Sequence, residues 1–284
     1  MNKFLASVAS LAAALIIGLS PAIAAEEGDG ATPHYPINKP KEQDWSFAGP
    51  FGKYDKGQLQ RGLKVYTEVC AACHSMRLVP FRTLGDLGYS EEQVKTFAAN
   101  YEVEDGPNAD GEMFTRTAVA SDHFPSPFPN VEAAAASNNG AAPPDFSLIA
   151  KARYVERGFP QFIFDIFTTY SEAGPNYIYS LLTGYQDAPA GTEVPEGAHY
   201  NPYFIAGPAL AMAPPLSDGQ VTYDDGSPET LDQYSHDVSA FLMWAAEPHM
   251  EDRKRMGFMV IIFLVIFSGL LYVTKKSVFS SVEH

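Results

Sequence analysis

Cys70-Ala71-Ala72-Cys73-His74 is the stretch of this chain with the most evident chemistry, and it contains the only two cysteines in 284 residues. C-x-x-C-H is the spacing for covalent attachment of a c-type haem. On a helix, positions i, i+3 and i+4 share a face, so both thiols can reach one porphyrin edge while the imidazole reaches the iron. Other readings ask for more than the sequence supplies. A thioredoxin-like dithiol expects a βαβ context and needs no histidine after the second cysteine. A sulfur-rich zinc site lacks its further cysteines, and a disulfide across two residues would be short and strained. The expected cofactor is one covalently bound haem c, with Cys70 and Cys73 forming the thioethers and His74 binding the iron.

The second axial position decides the chemistry. A methionine raises the reduction potential, a second histidine lowers it, and an open site invites small ligands. Met76 is too close to His74 to reach the opposite face. Met243 lies in an amphipathic stretch and reads as packing, and Met250, Met256 and Met259 sit at or within an apolar run. Met212, in Ala211-Met212-Ala213-Pro214-Pro215, is the preferred candidate, because two prolines stiffen the chain that carries it. Met113, His123 and His199 stay open as competitors. Arg82, eight residues after the haem motif, is a candidate partner for a haem propionate, since guanidinium binds carboxylates bidentately.

Several elements must position these residues. Residues 55–69 read as a helix with Leu59, Leu63, Tyr66 and Val69 on one stripe, running straight into Cys70. Gly62 on that stripe would let another element approach closely. Residues 102–146 read as a long irregular insertion with one short helix. Residues 146–154 and 177–185 read as helices, and 186–211 as a Pro/Gly-rich loop. Ser227-Pro228-Glu229 reads as a helix start, followed by a stripe of Leu231, Tyr234, Val238, Phe241, Leu242 and Ala245 that ends at Pro248. Strand signals are scarce. The expected fold class is mainly α: a c-type cytochrome domain with long loops and insertions, plus one C-terminal transmembrane helix.

The two ends are apolar for different reasons. Lys3, the apolar stretch 4–18 and Ala22-Ile23-Ala24 read as an export signal, residues 1–24, with cleavage before Ala25. Residues 257–274 are 18 uncharged residues between cationic flanks, spanning roughly 27 Å of a ~30 Å hydrocarbon core. This predicts a periplasmic domain at 25–252, a transmembrane helix at 257–274 in the bacterial inner membrane, and a cytoplasmic tail at 275–284. The charge balance is acidic, 34 Asp and Glu against 19 Lys and Arg for a net of −15. That argues against nucleic acid and suits a basic partner or simple solubility. Glu102, Glu104, Asp105 and Asp110 form one acidic cluster, and Asp224-Asp225 another.

Taken together, residues 61–84, 122–152 (with DHFPSPFPN and PPDFSLIAKA), 177–185, 200–218 (YNPYFIAGPALAMAPPLSD) and 237–257 (DVSAFLMWAAEPHMEDRKRMG) resemble the cytochrome c1 family, the membrane-anchored haem subunit of quinol–cytochrome c reductase, the bc1 complex. The resemblance implies Cys70 and Cys73 as thioethers, His74 and Met212 as axial ligands, and Arg82 near a propionate. It implies an electron carrier, not an enzyme on its own. Its partners would be cytochrome b, a Rieske iron–sulfur protein as donor and a soluble or membrane-tethered cytochrome c as acceptor, in a dimeric complex within the lipid membrane. Some bacterial relatives brace the methionine side with a further cysteine pair, which this chain lacks. Rival readings are a tethered cytochrome serving a terminal oxidase, a haem protein with an exchangeable sixth site, and a dithiol oxidoreductase.

Overall fold

The computed structural model describes residues 36–153 and 173–280. The export signal and the end of the C-terminal tail lie outside the described residues. Helix α1 (Lys56–Glu68) starts where the Asp55 carboxylate accepts the Gln58 backbone N–H at 3.1 Å, satisfying one of the donors left free at a helix start. Its expected stripe is the buried one: Leu59, Leu63 and Tyr66 are in the core, and Val69 packs against it. The chain then tightens into a 3-10 turn, Cys70–Ala72.

A second 3-10 segment, Phe81–Leu87, leads to α2 (Glu91–Ala98), which opens on a full capping box between Ser90 and Gln93. The 102–146 region is more ordered than its sequence suggests. Strands β1 (Glu102–Asp105) and β2 (Phe114–Thr117) pair antiparallel, with Val103 opposite Arg116. The hairpin was illegible because its strands are four residues long and mostly polar, offering no apolar alternation to read. Helix α3 (Val131–Ser137), capped by Asn130, is the short helix expected there.

Helix α4 (Ile149–Ala152) and helix α5 (Ala173–Leu182) follow. Within the Pro/Gly-rich region, β3 (His199–Tyr200) and β4 (Ala209–Leu210) form a two-residue ribbon. Helix α6 (Leu231–Ala246) begins three residues later than Ser227-Pro228-Glu229 suggested, because Thr230 supplies the cap to Gln233 at 3.3 Å. Ser227 instead closes a local turn, its N–H donating to Asp225 Oδ1. Burial on α6 runs nearly all round from Tyr234 to Ala245, wider than the expected stripe.

The core lies where α6 meets α1, with α4 and α5 against α6. Gly62 marks the crossing: a Cβ there would lie 2.3 Å from the Asp237 carbonyl oxygen and 2.5 Å from the Phe241 Cβ. Beside it, Asp237 is fully buried and takes Arg61 Nε at 2.8 Å, the Tyr223 hydroxyl at 3.0 Å and Gln233 Nε2 at 2.9 Å. The buried charge is thus paired and hydrogen-bonded, the condition for tolerating it. Helix α7 (Met250–Val278) runs 29 residues, with a window of mean hydropathy 2.6 that is not buried in the protein, so it is long and apolar enough to cross a membrane. Met250 departs from its expected place at the membrane surface; it is buried in the core.

Candidate functional site: the Cys70–His74 turn

Cys70, Cys73 and His74 share the single turn that ends α1. Both Cys73 and His74 donate their backbone N–H to the Cys70 carbonyl, at 3.1 and 2.9 Å. The motif is therefore one tight turn of mixed 3-10 and α character that carries both cysteines and the histidine. Cys73 is exposed and Cys70 half-buried. Burial pushes the Cys70 thiol up to about 12, with Cys73 adding to the shift.

The His74 ring is fixed from two directions. Its Nδ1 lies 2.9 Å from the Pro144 carbonyl oxygen. Carbonyls only accept, so this contact places the proton on Nδ1 and leaves the Nε2 lone pair for a metal. The ring also stacks on Phe146 at 3.9 Å, 16° from parallel. Burial holds the imidazole below its ordinary pKa, outweighing the Pro144 hydrogen bond and Asp145, and so favours the neutral ligating form.

The supporting segment is itself held. Asp145 accepts from Ser75 Oγ at 2.8 Å, from Arg77 N–H at 3.0 Å and from Ser147 N–H at 2.9 Å. Phe146 N–H donates to the Ser75 carbonyl at 2.8 Å. From the other side, the buried Tyr66 hydroxyl donates to the His74 carbonyl at 3.1 Å. The motif thus sits between α1 and residues 144–147, a pairing across some 70 positions that no local periodicity reveals.

The other candidates lie on separate loops. Met212 is half-buried just after β4, and its carbonyl accepts the Tyr185 hydroxyl at 3.1 Å. Arg82 is exposed, has no carboxylate partner among the described residues, and is tied through its N–H to the Ala120 carbonyl at 2.7 Å. Neither shares a hydrogen bond, ion pair or ring contact with the Cys70–His74 turn among the described residues. Met76 and Met243, set aside on sequence grounds, are core residues; of the competitors, Met113 and His123 are exposed. His199 is half-buried, edge-on to Tyr185 at 6.5 Å.

Two thiols at i and i+3 and an adjacent imidazole with Nε2 left for a metal are chemically suited to a c-type haem. The family model described as the Cytochrome C1 family matches residues 45–282. The chain belongs to the cytochrome c1 family. It is 48% identical to cytochrome c1 of Blastochloris viridis over 97% of this chain and 96% of that one. It is 43% identical to cytochrome c1 of Rhodospirillum rubrum over 97% of each. It is also 55% identical to the cytochrome b/c1 of Bradyrhizobium diazoefficiens over 98% of this chain, which spans only 40% of that longer protein. Membership in the cytochrome c1 family makes this a haem-dependent electron-transport chain with a C-terminal anchor helix.

Proposed function

We propose that this chain is the electron-transfer subunit of a bc1 complex, with one haem c bound covalently through Cys70 and Cys73, His74 and Met212 as axial ligands, and Arg82 beside a propionate. The observation that carries the reading is the geometry of His74, with Nδ1 held by Pro144 and the ring by Phe146, directly after both thiols. Bound there, haem c supplies one-electron Fe(III)/Fe(II) exchange, which we place between a Rieske iron–sulfur protein as donor and a cytochrome c as acceptor.

The chain's own residues set the conditions for that exchange. With haem bound, a Met212 thioether and the buried setting of His74 would disfavour the more positive oxidised iron and so raise the potential. Phe146 and Pro144 hold the imidazole in one orientation, which would favour a ligand geometry that is the same in both oxidation states. The exposed Arg82 guanidinium offers compensating charge to a propionate. In this reading residues 1–24 are an export signal, 25–252 lie in the periplasm, 257–274 span the inner membrane and 275–284 are cytoplasmic. Cytochrome b is the expected membrane partner, in line with a relative whose name joins b and c1. The complex is dimeric by the family resemblance.

The test is mild-detergent purification of the tagged full-length chain from its native membranes, read by redox difference and electron paramagnetic resonance spectra. Co-purifying b-type haem, a Rieske-type signal and quinol-dependent reduction of the c-type haem are expected. A c-type haem accompanied instead by oxidase haem and copper would transfer the chain to a terminal-oxidase pathway.

A further inference from the structure

The junction between α6 and α7 is clasped by the segment that precedes α1. The Tyr54 hydroxyl lies 3.4 and 3.2 Å from the carbonyls of Met243 and Glu247, and the Tyr54 N–H donates to Glu251 Oε1 at 2.9 Å. Lys254 Nζ turns back onto the Phe47 carbonyl at 2.6 Å. The loop between these points, residues 48–52, reads Ala48-Gly49-Pro50-Phe51-Gly52. At its tip Phe51 is 73% exposed, the highest value among the exposed large apolar side chains of the described residues. Its ring meets Phe258 edge-on, with centroids 5.6 Å apart.

Phe258 is the second residue of the uncharged stretch 257–274, and the cationic Arg253, Lys254 and Arg255 precede it by three to five positions. At 1.5 Å per residue that is roughly 4.5–7.5 Å of helix, so Phe258 stands at the rim of the hydrocarbon when the charges stand among headgroups. A ring in contact with Phe258 shares its depth. We infer that the 48–52 loop is a second membrane contact, laying Phe51 into the boundary between headgroups and acyl chains of the phospholipid leaflet beside the start of α7. The inference rests on the reading of α7 as a membrane span.

Three features select lipid as the occupant. The loop is continuous with the surface of an apolar helix that crosses the bilayer. It carries no charge of its own. The contacts at Tyr54 and Lys254 fix its height relative to that helix, so the aromatic ring is held at the interface where large rings are favoured. A single helix would let the haem domain tilt towards or away from the membrane; a second contact at the interface, off the helix axis, resists that tilt.

The test is photo-crosslinking of the full-length chain in native membranes. A diazirine side chain is encoded at position 51, at position 263 in mid-span, or at position 110 in the exposed hairpin loop, and each variant is first checked for covalent haem. Mass spectrometry should find phospholipid adducts at 51 close to those at 263 and on the order of tenfold above those at 110. Adducts at 51 to another polypeptide, or a lipid yield no higher than at 110, would overturn the inference while leaving the span intact. Absence of lipid adducts at 263 would remove the span and the inference with it.

Discussion

At the scale of single residues, the two axial candidates differ in how they are supported. His74 is fixed by a hydrogen bond and a stacked ring, whereas among the described residues Met212 is steadied through its loop, by the Tyr185 hydroxyl on its own carbonyl and by Pro214-Pro215. Replacing Met212 should therefore change the chemistry without unfolding the protein. Met212→Ala is expected to keep covalent haem but admit carbon monoxide to the reduced form, read as a shifted difference spectrum. Met212→His should lower the potential by on the order of 0.1–0.3 V, a fraction of the ~0.8 V that axial ligands command. Spectra and potential unchanged in both variants would remove Met212 from the iron and return the position to His199 or His123. The two cysteines and the histidine stand out in the sequence because they are rare types at a telling spacing, and Met212 stands out only by its proline-rich setting. Pro144, Phe146 and Tyr66 do not, because a carbonyl acceptor, a stacking ring and a hydroxyl are common groups whose role comes from long-range contact alone.

At the scale of elements, the haem-bearing helix is held by its crossing with α6. Gly62 and Asp237 do different work there. Gly62→Ala forces a methyl group against backbone and Phe241, which should cost about 1–3 kcal/mol. Asp237→Ala removes the buried partner of Arg61 and leaves two further donors, Tyr223 and Gln233, without their acceptor, a loss of about 3–5 kcal/mol. Chemical denaturation of the haem-loaded variants measures both; equal stability of Asp237→Ala and the parent would show that the pair is dispensable. The hairpin depends on a different pair. The Arg116 guanidinium lowers the Asp122 carboxyl to about 2, helped by the Val119 N–H. Because the folded value lies below the ordinary 3.8, this stabilisation is complete above about pH 4 and is lost as the pH falls towards 2. Asp122→Asn should flatten stability across that window, and a variant with the same acid slope as the parent would exclude the pair as its cause. Periodicity identified α1 and most of α6 because their buried faces repeat at 3.6 residues. It missed β1 and β2 because polar strands carry no such repeat, and it put the start of α6 early because Pro228 follows a plausible cap while Thr230 is the one that accepts from Gln233.

At the scale of the whole molecule, the net charge of −15 bears on how a partner arrives. The structure separates the two acidic clusters. Asp225 binds Arg61 at 2.8 Å and Asp224 binds Lys64 at 3.0 Å, so the second cluster is offset by cations on α1. In the first, Asp105 pairs with Arg116, but Glu102, Glu104 and Asp110 are exposed and carry no ion pair among the described residues. Their hairpin leads directly into residues 118–124, which hydrogen-bond to the Phe81 and Arg82 backbone. The uncompensated acids therefore belong to the same framework as Arg82, the candidate propionate partner. If a basic cytochrome c is steered by this field, its bimolecular rate with the membrane-bound complex should fall as salt rises, because charges are screened over ~8–10 Å near physiological ionic strength. Glu102→Gln with Glu104→Gln should flatten that dependence, whereas Asp224→Asn with Lys64→Gln should change it little, since removing both members of the pair leaves the net charge unaltered. Stopped-flow reduction of the acceptor over a range of salt concentrations measures both. A salt dependence unaffected by the hairpin variants but weakened by Asp224→Asn with Lys64→Gln would move the docking field to the α1 side of the domain.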